Sequence, residues 1–241
     1  MGTLFLVGTP IGNLEDVSPR MLRILRQVDL IAAENPSRTQ RLLARYDIDT
    51  PMMRYTDAYD RKKKSRTRAV LAALEQGDVA LVSEAGMPGL ADPGYELLAA
   101  VQEQQVPVVP VPGPTALAAA LLVAAQPDDR FMFLGFLPRS GGARRNLLSS
   151  VAGSPFTLVA YESPHRLLVT LADLDSLLGN RSVTVAGELT KLYEEVERGT
   201  AAELLAHYQE HRPRGEFTLV IASSPSLRET GDIQAGQGGV L

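Results

Sequence analysis

Thr3-Leu4-Phe5-Leu6-Val7-Gly8-Thr9-Pro10-Ile11-Gly12-Asn13-Leu14-Glu15-Asp16 is an apolar, strand-like run that breaks into a glycine-bearing loop, and a helix signal follows at Ser18-Pro19. Ser18 supplies a side-chain cap, and Pro19 stands at the first helical position, where its missing N–H has no partner to lose. Met21, Leu22, Leu25 and Val28 then fall on one helical face. Strand, loop and helix in that order form the opening of an α/β unit. Asp92-Pro93 and Ser163-Pro164 predict two further helix starts by the same device.

Working outward, strands are predicted over 30–33, 79–83 and 106–111 in the first half. In the second half they are predicted over 131–135, 156–161, 182–186 and 216–222. Helix-length patterns separate them, which argues an α/β fold of two domains with sheets wholly or largely parallel. Residues 106–111 show little alternation, as expected of a strand covered by helices on both faces. Four prolines lie between Pro107 and Pro114, and a helix-like stretch and Gln126-Pro127-Asp128-Asp129 follow. The domain change is therefore placed near residue 114, giving domains over 1–114 and 115–224. Residues 225–241 carry four glycines and little periodic apolar content, and read as a disordered tail.

Composition narrows the chemistry. The absence of Cys among 241 residues removes disulfides, Cys–zinc sites, iron–sulfur clusters and thiol nucleophiles. Ala116 to Ala125 is the longest apolar run, and a membrane helix needs about 20 residues. With no signal-peptide pattern at the start, a cytoplasmic location is expected. Lys and Arg number 24 against 28 Asp and Glu, a net charge of −4, so any polyanion must be met by a local basic surface.

Such surfaces are present in the sequence. Arg61-Lys62-Lys63-Lys64-Ser65-Arg66-Thr67-Arg68 has six cations in eight residues and no acidic one. Arg38, Arg41 and Arg45 share one helix face, Arg20, Arg23 and Arg26 nearly share another, and Arg139, Arg144 and Arg145 flank Gly141-Gly142. Phosphate contacts could be made at each, while solvated faces are the alternative. His207 and His211 are four apart on a helix-like stretch, but Glu210 is misplaced for a metalloprotease motif, so a surface role is expected and no metal site. His165 lies just after a predicted strand, at a pocket rim or simply on the surface.

Three Gly/Pro-rich loops close the predicted strands of the first half: Gly8 to Asp16, Ser83 to Gly94, and Pro112-Gly113-Pro114-Thr115. In a parallel sheet all three open on one edge, where ligands of α/β proteins lie. The first is neither a dinucleotide fingerprint, since Pro10 replaces the second glycine, nor a Walker A loop, which needs Gly-Lys-Ser/Thr. The loops offer main-chain N–H and C=O groups and few charges, which suits a ligand gripped by backbone.

Gly8-Thr9-Pro10-Ile11-Gly12-Asn13-Leu14-Glu15-Asp16 resembles the opening signature of the RsmI-type enzymes, S-adenosylmethionine-dependent 2′-O-ribose methyltransferases that modify a cytidine of small-subunit ribosomal RNA. These have the tetrapyrrole-methylase (class III) methyltransferase fold. The resemblance continues through Ile31-Ala32-Ala33-Glu34, Ala85-Gly86, Pro88-Gly89, Asp92-Pro93-Gly94-Tyr95 and Pro112-Gly113-Pro114-Thr115-Ala116. It extends through Asp129-Arg130-Phe131, Gly135-Phe136-Leu137-Pro138, Tyr161-Glu162-Ser163-Pro164-His165-Arg166, Glu188-Leu189-Thr190-Lys191, Arg198-Gly199-Thr200 and Gly215-Glu216-Phe217. Departures from the family pattern fall at Asn35-Pro36-Ser37, at Tyr55 to Tyr59 where two His are usual, at Glu84 and Met87, and at Gly187.

The resemblance implies two α/β domains with S-adenosylmethionine in the cleft between them, a homodimer, and a methyl transfer that uses no metal. It implies cofactor contacts from Thr9, Pro10, Gly12, Asn13, Ser83, Glu84, Ala85, Gly86, Met87, Pro114, Thr115 and Ala116. From the second domain it implies Phe136, Leu137, Tyr161, Glu188 and Leu189. A ribose hydroxyl is a weak acid, so a proton acceptor would help, and Glu34, Glu84, Asp92, Glu188 and Lys191 are the candidates. Asp92 is better placed as a helix cap, and Lys191 serves only if desolvated. Arg38, Arg41, Arg61, Lys62, Lys63, Lys64, Arg66, Arg144 and Arg145 are the candidate contacts to ribosomal RNA. A class III methyltransferase with another acceptor, and a cofactor- or RNA-binding homologue without catalysis, stay open beside this reading.

Overall fold

The computed structural model describes residues 1–56, 63–92, 94–126 and 130–224, and leaves the side chains of Lys63 and Lys64 undescribed. The expected tail over 225–241, together with Arg61 and Lys62, lies outside the described residues. The chain divides into two compact units. The first is Met1–Ala119 with Leu189–Leu192, and the second contains Ala120–Glu188 and the described residues from Tyr193 on.

The first unit contains β1 (Leu4–Val7), α1 (Pro19–Gln27), β2 (Leu30–Ala33), α2 (Pro36–Arg45), β3 (Met52–Arg54), α3 (Lys63–Gln76), β4 (Val79–Val82), α4 (Tyr95–Glu103) and β5 (Val108–Val111). The five strands form a wholly parallel sheet in the order β3-β2-β4-β1-β5. Side chains alternate across it. Val7, Ile31, Ala33, Ala80 and Val82 pack with Met21, Ile24 and Leu25 of α1 and with Leu42 and Leu43 of α2. Leu4, Ala32, Val79 and Leu81 point the other way, against Val70 and Leu74 of α3 and Leu97 and Val101 of α4. Burying one such Val or Leu contributes roughly 1.5–3 kcal/mol.

Topology then fixes where a ligand can sit. From β1 the chain crosses to β2 in one direction, over α1. From β4 it crosses to β5 in the opposite direction, over α4 on the other face. β1 and β4 are neighbours whose outgoing loops part to opposite faces, which is the switch point where open α/β sheets bind ligands.

The caps hold in part. Ser18 Oγ accepts from the Met21 amide at 3.0 Å, with Pro19 opening α1, as expected. Asn35 does the same for α2, accepting from the Arg38 amide at 3.3 Å ahead of Pro36. Asp92, expected as a cap, is not one. Gly94 occupies that position with φ 144°, a conformation that needs glycine, and α4 has no side-chain cap. Ser163 is likewise three residues short of its cap position, because 164–166 form a turn and α7 (Leu167–Leu178) starts after Arg166. Ser163 instead receives the Arg166 and Leu167 amides on its carbonyl, both at 3.1 Å.

The second unit is built from β6 (Phe131–Phe136), α6 (Gly141–Ser150), β7 (Thr157–Glu162), α7, β8 (Ser182–Gly187), β9 (Glu195–Thr200), α8 (Ala201–Glu210) and β10 (Phe217–Ile221). The helix α5 (Ala116–Ala124) spans the division between the units. Here the expectation of a largely parallel sheet is corrected. The order is β6-β7-β10-β8-β9, and only β6–β7 is parallel. The reason is β9, which was not predicted: β8 turns back into it as an antiparallel neighbour, and α8 then returns the chain to β10 on the other side of β8. Leu148, Leu171, Leu174, Leu204 and Tyr208 from three helices cover one face of this sheet through Leu158, Val185 and Leu219. Burial pushes the Tyr208 phenol up, and the Glu195 carboxylate 3.2 Å from its hydroxyl adds to the shift.

At the start of α8, Thr200 and Glu203 form a reciprocal capping box. The Thr200 amide, donating to Glu203 Oε2 at 2.8 Å, holds the Glu203 carboxyl below its ordinary range. A depressed folded value gives a contribution that is complete above the unfolded glutamate value, about 4.3, and is lost as pH falls through the folded one. The amide protection factors in the first turn of α8, measured against intrinsic rates at the same pH, are therefore expected to fall on acidification in this window. Glu203→Gln should exchange faster at neutral pH and lose that dependence.

Candidate functional site

Main chain joins the three turns that leave β1, β4 and β5. The Thr9 amide donates to the Gly86 carbonyl at 2.9 Å, and the Gly86 amide returns a bond to the Thr9 carbonyl at 3.0 Å. On the other side, the Gly8 amide donates to the Val111 carbonyl at 3.0 Å. A Cβ on Gly113 would stand 2.7 Å from Gly8 C and O, and one on Gly8 would stand 2.7 Å from Gly113 N. Only two glycines allow backbones to approach so closely. Gly86 itself takes φ 81°. The buried Ser83 hydroxyl lies 3.3 Å from the Ala85 and Gly86 carbonyls as their donor, and so shapes the second turn from within. Met87 lies over Gly8, where an added Cβ would meet its sulfur at 2.5 Å. Thr115 Oγ1 accepts from the Ala118 amide at 3.1 Å, so this expected cofactor contact also serves the start of α5.

Beside the Thr9–Gly86 bridge lies a cavity of about 370 Å³. Thr9 to Gly12 line one side, Ser83 to Ala85 a second, and Arg38, Thr39, Arg41 and Leu42 of α2 a third. Lys191 completes it. It arrives with the segment 189–191, which lies against Gly12, where any side chain would strike Lys191, the Leu189 carbonyl and Thr190. Thr9 is 4% exposed, and its hydroxyl has no hydrogen-bond partner among the described residues, an orphan that a ligand would satisfy.

The carboxylates in this region are organised. Glu84 Oε1 pairs with Arg38 Nη1 at 2.7 Å, and Glu84 Oε2 accepts from Asn35 Nδ2 at 3.3 Å. The Glu84 amide donates to Glu34 Oε2 at 2.9 Å. Glu34 therefore shapes the turn while Glu84 lines the cavity. Glu188, another candidate, is turned to a different task. Its carboxylate accepts from the Glu216 amide at 3.1 Å and fills the space beside Gly215 that a Cβ would need. Asn13 Oδ1 accepts from the Glu15 amide at 3.0 Å and closes the end of the first turn.

In the second unit, Tyr161 stands edge-on to Phe133 and Phe136, with ring centroids 5.0 and 5.4 Å away. A bulge between Phe133 and Phe136, where Gly135 has φ 63°, leaves Phe136 half exposed. Glu162, fully buried, pairs with Arg166 at 2.6 Å and accepts from Thr170 Oγ1 at 2.7 Å. Arg166 in turn donates to the Leu137 carbonyl at 2.8 Å, which fixes Leu137 beside Tyr161.

Of the expected RNA contacts, Arg38 and Arg41 line the cavity and are exposed, with Arg45 and the α1 arginines 20, 23 and 26 exposed on the same side of the sheet. Arg144 is corrected. It is 5% exposed and its guanidinium is committed to Asp173 at 2.7 Å, so it ties α6 to α7 and is not a surface cation. Arg145 is exposed, 3.7 Å from the same carboxylate. Arg66 donates to the Thr56 carbonyl at 3.4 Å. His207 of α8 and His211 just beyond its end stack at 4.6 Å, and among the described residues no cluster of three or more His, Asp or Glu is set to hold a metal. Thr39 and Leu42 were not anticipated in the cavity, whereas Lys191 had been named as a candidate proton acceptor. Thr39 and Leu42 stand four and seven positions after the Asn35 cap, a spacing that puts both on its side of α2.

Residues 3–205 match the family of Tetrapyrrole (Corrin/Porphyrin) Methylases. The chain is 49% identical over 226 residues to a protein of Synechocystis sp. (strain PCC 6803) named Ribosomal RNA small subunit methyltransferase I, covering 93% of this chain and 80% of that one. It is 45% identical over 223 residues to the Thermotoga maritima protein of the same name, covering 92% of this chain and 99% of the other. Two solved structures share the fold. A cobalt precorrin-4 methyltransferase aligns with TM-score 0.69 at 16% identity, over 91% of this chain and 94% of its own. A uroporphyrin-III C-methyltransferase of Thermus thermophilus, complexed with S-adenosyl homocysteine, aligns with TM-score 0.65 at 20% identity, over 94% of this chain and all of its own.

The glycine contact between the first and third turns is testable. Gly113→Ala and Gly8→Ala each force backbone against backbone and should cost about 1–3 kcal/mol, read as a lower urea midpoint. Gly153→Ala, whose Cβ would meet nothing within 4 Å, should leave the midpoint nearly unchanged.

Proposed function

The chain belongs to the tetrapyrrole (corrin/porphyrin) methylase family, and from that membership we propose that the three joined turns of its first unit hold S-adenosylmethionine beside a cavity that receives an RNA ribose. The protein is an S-adenosylmethionine-dependent methyltransferase of small-subunit ribosomal RNA, and the acceptor is the 2′-hydroxyl of a cytidine. The observation that carries the site is the bonding of Thr9 to Gly86 at the switch point, with an orphaned buried hydroxyl on one side and cationic side chains on the other. Glycine-lined backbone and the unsatisfied Thr9 hydroxyl fit a compact polar ligand.

S-adenosylmethionine supplies a methyl carbon activated by its sulfonium. The chain's own work is to bind, orient and deprotonate. Residues 9–13, 83–87 and 114–116 grip through main-chain groups. Pro10, Ile11 and Leu14 exclude water from the cavity wall. Holding the ribose oxygen at attack distance contributes up to roughly 7–11 kcal/mol in favourable cases. Glu84, the candidate carboxylate that lines the cavity, accepts the hydroxyl proton there. Arg38, Arg41 and Lys191 meet the flanking phosphates. The working form we propose is a cytoplasmic homodimer, which light scattering would report at twice the 26.0 kDa chain mass.

Calorimetry should detect one S-adenosylmethionine per chain, and ribose-methylation mapping should find one cytidine of small-subunit RNA unmodified in a deletion strain. An unchanged methylation map rules out the ribosomal assignment. Glu84→Gln should lower kcat by about 10²–10⁴-fold, the range for a lost proton acceptor, while calorimetry still shows the cofactor bound.

A further inference from the structure

Three cations, Arg38, Arg41 and Lys191, share the cavity wall with one carboxylate, Glu84. The bonds of that carboxylate are unequal in kind. Asn35 Nδ2 on one oxygen and Glu34 on its backbone amide hold Glu84 in place without help from Arg38. The Arg38 guanidinium, by contrast, has Glu84 as its single ion-pair partner among the described residues. Its side chain is 54% exposed and that of Glu84 36%, and ion pairs this open to water are weak and exchangeable. Arg41 is exposed one turn further along α2 and has no ion-pair partner among the described residues. A single anion with two oxygens, entering beside α2, would therefore find one guanidinium unpaired and a second held by a replaceable partner.

We propose that Glu84 is the resting counter-ion of Arg38 and that a phosphodiester of the RNA displaces it, taking Arg38 and Arg41 together. This deepens the ribosomal RNA reading above and rests on it. A phosphodiester offers the guanidinium the same forked pair of oxygens as a carboxylate, so the exchange costs Arg38 little. Asn35 and Glu34 keep Glu84 in position after the exchange, with one of its oxygens freed toward the cavity. The pair thus links arrival of the polyanion to exposure of the carboxylate.

The exchange predicts opposite effects from the two halves of one ion pair. Binding of a fluorescent small-subunit RNA transcript is measured by anisotropy across a series of salt concentrations, for the wild type, Glu84→Gln, Arg38→Gln, Arg38→Lys and the Arg38→Gln/Glu84→Gln double variant. Glu84→Gln should bind several-fold tighter with the wild-type salt slope. Arg38→Gln should bind about tenfold more weakly with the slope reduced by about one. Arg38→Lys should keep the slope and lose part of the affinity. The double variant should match Arg38→Gln, because the counter-ion matters only when its arginine is present. Equal or weaker binding by Glu84→Gln, or an unchanged slope in Arg38→Gln, overturns the exchange. If the wild type meanwhile binds the transcript, and calorimetry shows S-adenosylmethionine bound, the RNA methyltransferase reading survives that failure. A wild type that binds neither removes both.

Discussion

The reciprocal backbone bonds between Thr9 and Gly86 are the constraint on which the site depends. Parallel strands β1 and β4 would otherwise part at their carboxyl ends, because their loops lead to helices on opposite faces of the sheet. Two hydrogen bonds close that gap at its base, and the contact of Gly8 with Gly113 ties in the third turn from β5. The floor of the site is therefore main chain from three strands. Its geometry is set by the sheet register, and the side chains around it are left to carry charge and shape.

That division of labour explains the cavity's composition. The sheet contributes Thr9, Ser83 and neighbouring backbone, whereas most of the charge comes from elements that arrive laterally: Arg38 and Arg41 from the start of α2, and Lys191 from the returning segment. The Asn35 cap fixes where α2 begins, and so fixes how far its first turn projects Arg38 toward Glu84. A local signal, Asn followed by Pro, thus determines a long-range ion pair.

The same distinction between local and distant causes decides what was readable from residues alone. Strands β1, β2, β4 and β5 were each predicted, as were the loops that end β1, β4 and β5, but the expected helix cover on both faces fails for β5, an edge strand in which Val108 and Pro110 are exposed. The two unpredicted strands, β3 and β9, both lie at sheet edges. Edge strands need fewer apolar residues, and β9 reads Glu-Val-Glu-Arg-Gly-Thr. Missing it made β8 and β10 look like a parallel pair joined through a helix, which is why the second sheet was expected to be parallel. Arg144 was placed on the surface for a similar reason: its partner, Asp173, is 29 residues away on another helix. Lys191 was a candidate by type, but nothing near it in the chain indicates that Gly12 makes room for it.

The backbone around Lys191 shows that this placement is imposed. Glu188 and Thr190 both have positive φ, 47° and 65°, which side chains with a Cβ adopt at a cost of roughly 1–2 kcal/mol each. Glu188 is held there by the Glu216 amide and carbonyl and by the absence of a Cβ on Gly215. Gly12 accepts the segment on the other side, where no other residue would fit. Two strained residues and two glycines are thus spent on carrying Leu189 and Lys191 across to the first turn. The strained residues stand immediately ahead of the point where the cavity gains its lysine.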